Sequence, residues 1–218
     1  MPTCMQPAAQ AAATVAQVQW GYARNARSLA QAALAGAAQF VEWAHYPRND
    51  CADARHGTRF YYHAHAAADR AAHEHGHFHL FVPADSTAAP FSHLAGLSLN
   101  AQGLPLRWFT TNQWVTGEHW VPATALVAAL ARFELQVAGR LAPVARWLSA
   151  MVHLYADEIT TCLHERDALL EQHARRTRLD LTAALQDRQL HIVSQRPVDL
   201  LPRLLAAGTD TLAPGEEP

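Results

Sequence analysis

Between Arg59 and Val82 the chain reads Arg-Phe-Tyr-Tyr-His-Ala-His, then a polar, alanine-rich gap, then His-Glu-His-Gly-His-Phe-His-Leu-Phe-Val. Six of the 14 histidines fall in these 24 residues: His63, His65, His73, His75, His77 and His79. Side chains alternate between the two faces of a strand. Tyr61, His63 and His65 therefore share one face of a first strand. His75, His77 and His79 share one face of a second, with Phe78, Leu80 and Val82 on the other. Folded back as an antiparallel hairpin, the two histidine rows fall on the same side. Opposed Cβ atoms then lie about 4.5–5.5 Å apart. At that spacing imidazoles from neighbouring strands can meet on one ion, at roughly 2.0–2.1 Å each.

Imidazole with an occasional oxygen ligand suits a divalent transition metal: zinc or iron first, with copper and nickel also compatible. Strand alternation selects His63, His65, His77 and His79 as ligands, with His75 next and His73 in the loop. His45 and His93 lie in neighbouring predicted strands and can complete the site. A catalytic site needs about three protein ligands and an open position, so surplus histidines would support ligands or carry protons. Glu42, Glu74 and Glu118 are the acidic candidates. Glu118 follows Thr-Gly in an aromatic-rich turn and is the candidate general base. Arg107 and Asn112 are candidates to orient an anionic or polar substrate. Bland readings stand beside these: a metal-free cluster of hydrogen-bonded histidines, a solvated histidine face, or a solvated turn carboxylate at Glu118. Trp108, Trp114 and Trp120 read as core before pocket lining. His153 and Asp157, four apart, read as a helix-surface pair.

The elements that must hold these residues follow from period and punctuation. Residues 8–38 are alanine-rich and proline-free, which predicts one or two helices broken near Gly21. They would pack on the sheet or on a second copy of the chain. Residues 39–46 alternate as a strand that Pro47 ends, and residues 47–58 have loop composition. The histidine hairpin follows, and its connection, residues 66–74, is long enough to act as a flap beside the site. Residues 92–100 and 104–111 predict a second hairpin about Asn-Ala-Gln-Gly. Residues 112–120 predict a short strand or ordered loop. Helical spacing returns over 122–139 and again from Pro143 to about Arg175. A short helix over 181–189 and a strand over 190–195 close the chain, and the polar tail 207–218 predicts disorder. Strands in the middle with helices on both sides make an α+β fold with a mainly antiparallel sheet. The division expected is a helical segment 1–38, an α+β metal-binding domain 39–206 and the tail.

Composition narrows the classes. Net charge is −2, and all 17 basic residues are arginine, so no general basic field awaits nucleic acid. No apolar run reaches the length of a membrane span. No basic, then apolar leader opens the chain. Cys4, Cys51 and Cys162 are isolated and odd in number, which fits a reducing cytoplasm. There is no P-loop, no Gly-x-Gly-x-x-Gly and no zincin helix, and the predicted helices carry no Glu-x-x-His. Ser92 and His93 are adjacent, so they face opposite ways and form no nucleophile–base pair.

The segments Glu-Trp-Ala-His-Tyr-Pro (42–47), Tyr-Tyr-His-Ala-His (61–65), Glu-His-Gly-His-Phe-His (74–79), Ser-His-Leu (92–94) and Thr-Thr-Asn-Gln-Trp-Val-Thr-Gly-Glu (110–118) together resemble a bacterial family known as a domain of unknown function. The resemblance spans roughly residues 40–170 and brings no activity with it. It favours His45, His63, His65, His75, His77, His79, His93 and Glu118 as motif positions. The N-terminal helix and the tail look peculiar to this chain. Three functions remain open on these residues: a metal-dependent enzyme acting on a small molecule, hydrolytic or oxygen-using; a metal-binding or sensing protein without catalysis; and an interaction module whose metal is structural.

Overall fold

The structure, a computed structural model, describes residues 5–84 and 90–209. Six strands form one antiparallel sheet in chain order: β1 Tyr46–Ala52, β2 Arg59–His63, β3 Gly76–Pro83, β4 Phe91–Leu99, β5 Pro105–Thr111 and β6 Ile192–Pro197. Helices α1 Ala8–Ala23 and α2 Leu29–Ala33 precede it. Between β5 and β6 lie α3 Gln113–Thr116, α4 Ala123–Leu130, α5 Ala142–Leu154, α6 Ala156–Thr177 and α7 Leu181–Leu185, and α8 Leu200–Thr209 follows. This is the expected α+β arrangement, with the histidine hairpin central in the sheet. Among the described residues, no helix is long and apolar enough to cross a membrane.

One face of the sheet is apolar. Phe60, Tyr62, Phe78, Leu80, Leu97, Leu99 and Trp108 are buried there in one core with α1, α4, α5 and α6. The Phe78 ring meets Trp147 of α5 at 6.4 Å, and Trp108 meets Tyr155 at 6.5 Å. Helix α1 lies on α5 and α8 rather than on the sheet. It stops at Ala23, and Ser28 opens α2 with a capping box to Gln31.

Several boundaries differ from the sequence expectation. Residues 39–45 are not a strand. Instead β1 runs from Tyr46 through Pro47 and the segment that reads as loop. It is an edge strand, paired on one side only and irregularly between Tyr46 and Cys51, so a proline without an N–H costs it little. Residues 113–116 form α3, capped by the Asn112 side chain, where a strand or loop was expected. Helix α4 ends at Leu130, short of the expected 139. The predicted helix 143–175 is two helices that break at Tyr155. Helix α8 carries the chain to residue 209, past the expected start of the tail. Residues 210–218 lie outside the described residues.

One irregularity decides what the other sheet face carries. Leu80 opposes Ala95, but Phe81 opposes His93, so Leu94 is an extra residue on β4. Period two from Leu99, Leu97 and Ala95 would send residue 93 into the apolar core. The bulge shifts parity by one and turns His93 to the face of His79 instead.

Candidate metal centre

The β2–β3 register sets His63 directly opposite His77 and Tyr61 opposite His79. Their Nε2 atoms bring His63 and His77 to 2.7 Å from each other. His65 follows two residues beyond the end of β2, half-buried. There the Trp43 N–H, donating to the Ala64 carbonyl at 2.7 Å, pins the chain. His63, His65 and His77 each offer one nitrogen, and these lie within 4.8 Å of one another.

Glu74 holds one member of the triad, His77, from behind. Its Oε1 accepts from His77 Nδ1 at 2.7 Å, and its Oε2 accepts from Arg107 at 3.2 Å. Burial raises the Glu74 carboxyl, but the His77 hydrogen bond and charge, with Arg107, outweigh it and hold the group below its usual value. In the tautomer with its Nδ1 proton on Glu74, His77 would turn an Nε2 lone pair towards His63, where an ion could be held between the two rings. Such a carboxylate–histidine pairing fixes ring orientation and raises ligand basicity.

Burial and crowding favour the uncharged form of His63 and His65. Burial, then the neighbouring His77, His65, His45 and His191, push His63 down to about 2. Burial and the same crowding take His65 to about 4. A buried pair adjoins the triad: His79 Nδ1 lies 2.9 Å from His93 Nε2, and His93 Nδ1 lies 3.3 Å from Thr111 Oγ1. Burial, then His93 and His77, lower His79 well below its ordinary value; burial, then Arg166 and His77, bring His93 to about 3. The His79 ring centroid stands 5.0 Å from that of His77 and 5.2 Å from that of His63.

A cavity of about 690 Å³ opens on this face. His63 and His65 line it with Tyr61, Phe81, Phe91, Trp43 and Trp114, and His45, His191, Asp50 and Asp69 also reach it.

Other candidates are placed differently. His75 leaves the expected row. It lies one residue before β3, its Nδ1 meets the Tyr62 hydroxyl at 2.8 Å, and its ring stacks on Phe40 at 4.7 Å. Outside the strand, alternation no longer governs it. His45 is exposed on the cavity wall, stacked on Tyr61 at 3.8 Å, with Nδ1 3.5 Å from Asp50. His73 is exposed at φ +65°. Glu118 does not line the cavity. The segment 118–119 runs along β4, where the His119 N–H bonds the Phe91 carbonyl, and this sets Glu118 Oε2 to accept the His93 backbone N–H. Its Oε1 is buried without a partner among the described residues, and burial raises the carboxyl to about 8. It is an acid held neutral, not the base that the turn suggested. Glu42 pairs with Arg70 at 2.5 Å. Arg107 is committed to Glu74 and Gln195. Asn112 is buried, donating to the Ala184 and Asp187 carbonyls. Neither faces the cavity as a substrate anchor.

Of the three tryptophans, Trp108 is core, Trp120 lies under the Arg166 guanidinium, and Trp114 lines the cavity with its Nε1–H on the Leu190 carbonyl. His153 is buried, bonded to the Phe133 carbonyl at 2.8 Å and to the Gln6 N–H at 3.0 Å. The break at Tyr155 separates it from Asp157, so the expected surface pair does not form. His191 was missed. Its ring lies 5.4 Å from that of His65, but it stands alone just before β6, with no local pattern to mark it.

No curated protein and no solved structure matches the chain. A family model described as a domain of unknown function (DUF6969) matches residues 9–198. The match reaches well beyond residues 40–170 and takes in α1, so the N-terminal helix is not peculiar to this chain. With the hairpin, the bulge and both flanking helical layers inside the matched span, the chain belongs to the DUF6969 family of domains of unknown function.

Proposed function

We propose that this protein is a metal-dependent enzyme that holds one divalent transition ion on His63, His65 and His77 and acts on a small molecule admitted by the adjoining cavity. One observation carries the reading: three imidazoles with convergent nitrogens, one of them braced by Glu74, stand beside an open cavity. Lowered proton affinity at His63 and His65 leaves lone pairs free at neutral pH. His63, His65 and His77 would hold the ion as imidazole ligands, and it would supply Lewis acidity, either activating a water near pH 7 or polarising a substrate carbonyl. Zinc fits a hydrolytic reaction and iron an oxygen-using one. The protein's own part is to keep His77 in one tautomer through Glu74 and to wall the site with Tyr61, Phe81 and Trp114. The free thiols Cys51 and Cys162 accord with a reducing compartment such as the cytoplasm.

The adjoining His79–His93 pair supports a second reading, a metal store or sensor with more than one ligand set. Elemental analysis of the untagged protein separates the two. The enzyme reading expects about one tightly held equivalent, lost in His63→Ala, His65→Ala and His77→Ala. Several weakly held equivalents favour storage. Less than about a tenth of an equivalent, with none taken up on reconstitution, ends both.

A further inference from the structure

We propose that the cavity selects a small organic cation, an alkyl or quaternary ammonium compound whose charged end rests on Trp43 between Asp50 and Asp69 while its other end points to His63 and His65. The reaction at that other end depends on the metal-enzyme reading above; the charge preference does not.

Charge is the first support. Among the described residues no arginine lines the cavity and two carboxylates do, and the chain has no lysine. Among the described residues the sole cationic partner of Asp50 is exposed His45, at 3.5 Å, and Asp69 has none. A phosphate or carboxylate ligand would find no guanidinium there and two like charges instead. Trp43 is the second support. The residue is 57% exposed, and its backbone sits at φ +68°. A bulky residue in the left-handed region is strained, and such strain gathers at ligand sites. The indole adds nothing to the core. One face stacks on His65 at 4.5 Å and 14°, Trp43 makes no second ring or cation contact among the described residues, and tryptophan is the best aromatic partner for a cation. Phe91 and Trp114 already have Arg59 and Arg188 over them, at 4.7 and 5.1 Å, though neither arginine lines the cavity. The binding face is therefore assigned to Trp43. An ion on the triad would repel an ammonium group, so the two ends of the ligand are sorted along the cavity.

The test is tryptophan-fluorescence titration of the purified full chain, as isolated and after metal removal, with choline, its neutral isostere 3,3-dimethylbutan-1-ol, and inorganic phosphate. Choline is expected to bind about 10-fold tighter than the isostere, with phosphate weakest. In Trp43→Leu and in Asp50→Asn/Asp69→Asn that preference should shrink to about 3-fold or less, while circular dichroism and metal content match the parent. Equal binding of choline and the isostere, tightest binding of phosphate, or a preference unchanged in both variants would overturn the proposal. So would the absence of saturable binding by any of the three. If choline is preferred but the protein takes up no metal, the charge assignment stands and the metal-enzyme reading falls.

Discussion

Glu74 reaches its histidine from three residues upstream, and that short tether makes it more than a surface charge. It fixes which nitrogen of His77 carries the proton. Glu74→Gln should lower metal affinity about 10–100-fold without abolishing binding, because the triad remains but its orienting charge is gone. Competition against a chromogenic chelator measures this, and unchanged affinity would remove Glu74 from the site. Glu118 makes a second residue-scale prediction. Its folded proton affinity is raised from about 4.5 to about 8. Below the lower value both the folded and unfolded states hold the proton. As pH climbs through the window the unfolded chain releases it first, so stability falls from about pH 4.5 to about 8. Metal-free Glu118→Gln should therefore be more stable than the parent at pH 8, on the order of 2 kcal/mol, with the gap narrowing towards pH 6. Melting curves at the two pH values that differ by the same amount would show that the carboxyl is solvated.

At the scale of elements, the centre is made by register. His63 faces His77 because β2 and β3 pair without slippage, and His93 joins His79 only because β4 bulges at Leu94. Gly96 is part of the same device. It sits opposite His79, and a Cβ there would come within 2.2 Å of the Phe109 ring, which packs edge-on against His77 and His79 at 5.3 and 5.7 Å. Gly96→Ala must push that ring into the histidines or off the sheet, at a cost of about 1–3 kcal/mol. Adding Phe109→Leu should restore part of the loss. A double-mutant cycle by urea denaturation reads the coupling; strictly additive effects would mean that the ring does not press on residue 96.

Across the whole molecule, folding holds several histidines neutral that would each bind a proton at mild acid pH when unfolded. His63, His79 and His93 are buried with depressed proton affinity. Their contribution is fully present above the free-histidine value near 6.5 and is lost as pH falls through that value towards about 3. Each costs about 1.4 kcal/mol per pH unit across the window, so the three give a slope of about 4 kcal/mol per unit, of which Glu118 offsets about 1.4 kcal/mol per unit above about pH 4.5. The metal-free protein should unfold in mild acid, between about pH 6 and pH 4, against a total stability of about 5–15 kcal/mol. Circular dichroism against pH follows it. A bound ion should move the transition to lower pH, since it stabilises only the folded state. A metal-free protein still folded at pH 3 would mean that the cluster is open to water.

The sequence by itself determined the hairpin and its chemistry. Period-two alternation of histidine against Phe78, Leu80 and Val82 specifies which face carries the histidines and which carries the apolar core, and local pairing enforces it. Segregated strand and helix periods likewise determined the α+β class. Tertiary structure alone decided membership of the site. His75 lost its place because the strand begins one residue later. Glu118 became a buried acid because a segment far from the hairpin lies along β4. His93 entered by a bulge, and His191 by the return of β6 to the far side of the sheet. Periodicity describes what neighbours in the chain share. It carries no information on an inserted residue's parity or on which distant strand comes to lie alongside, because those depend on the packing of the whole sheet.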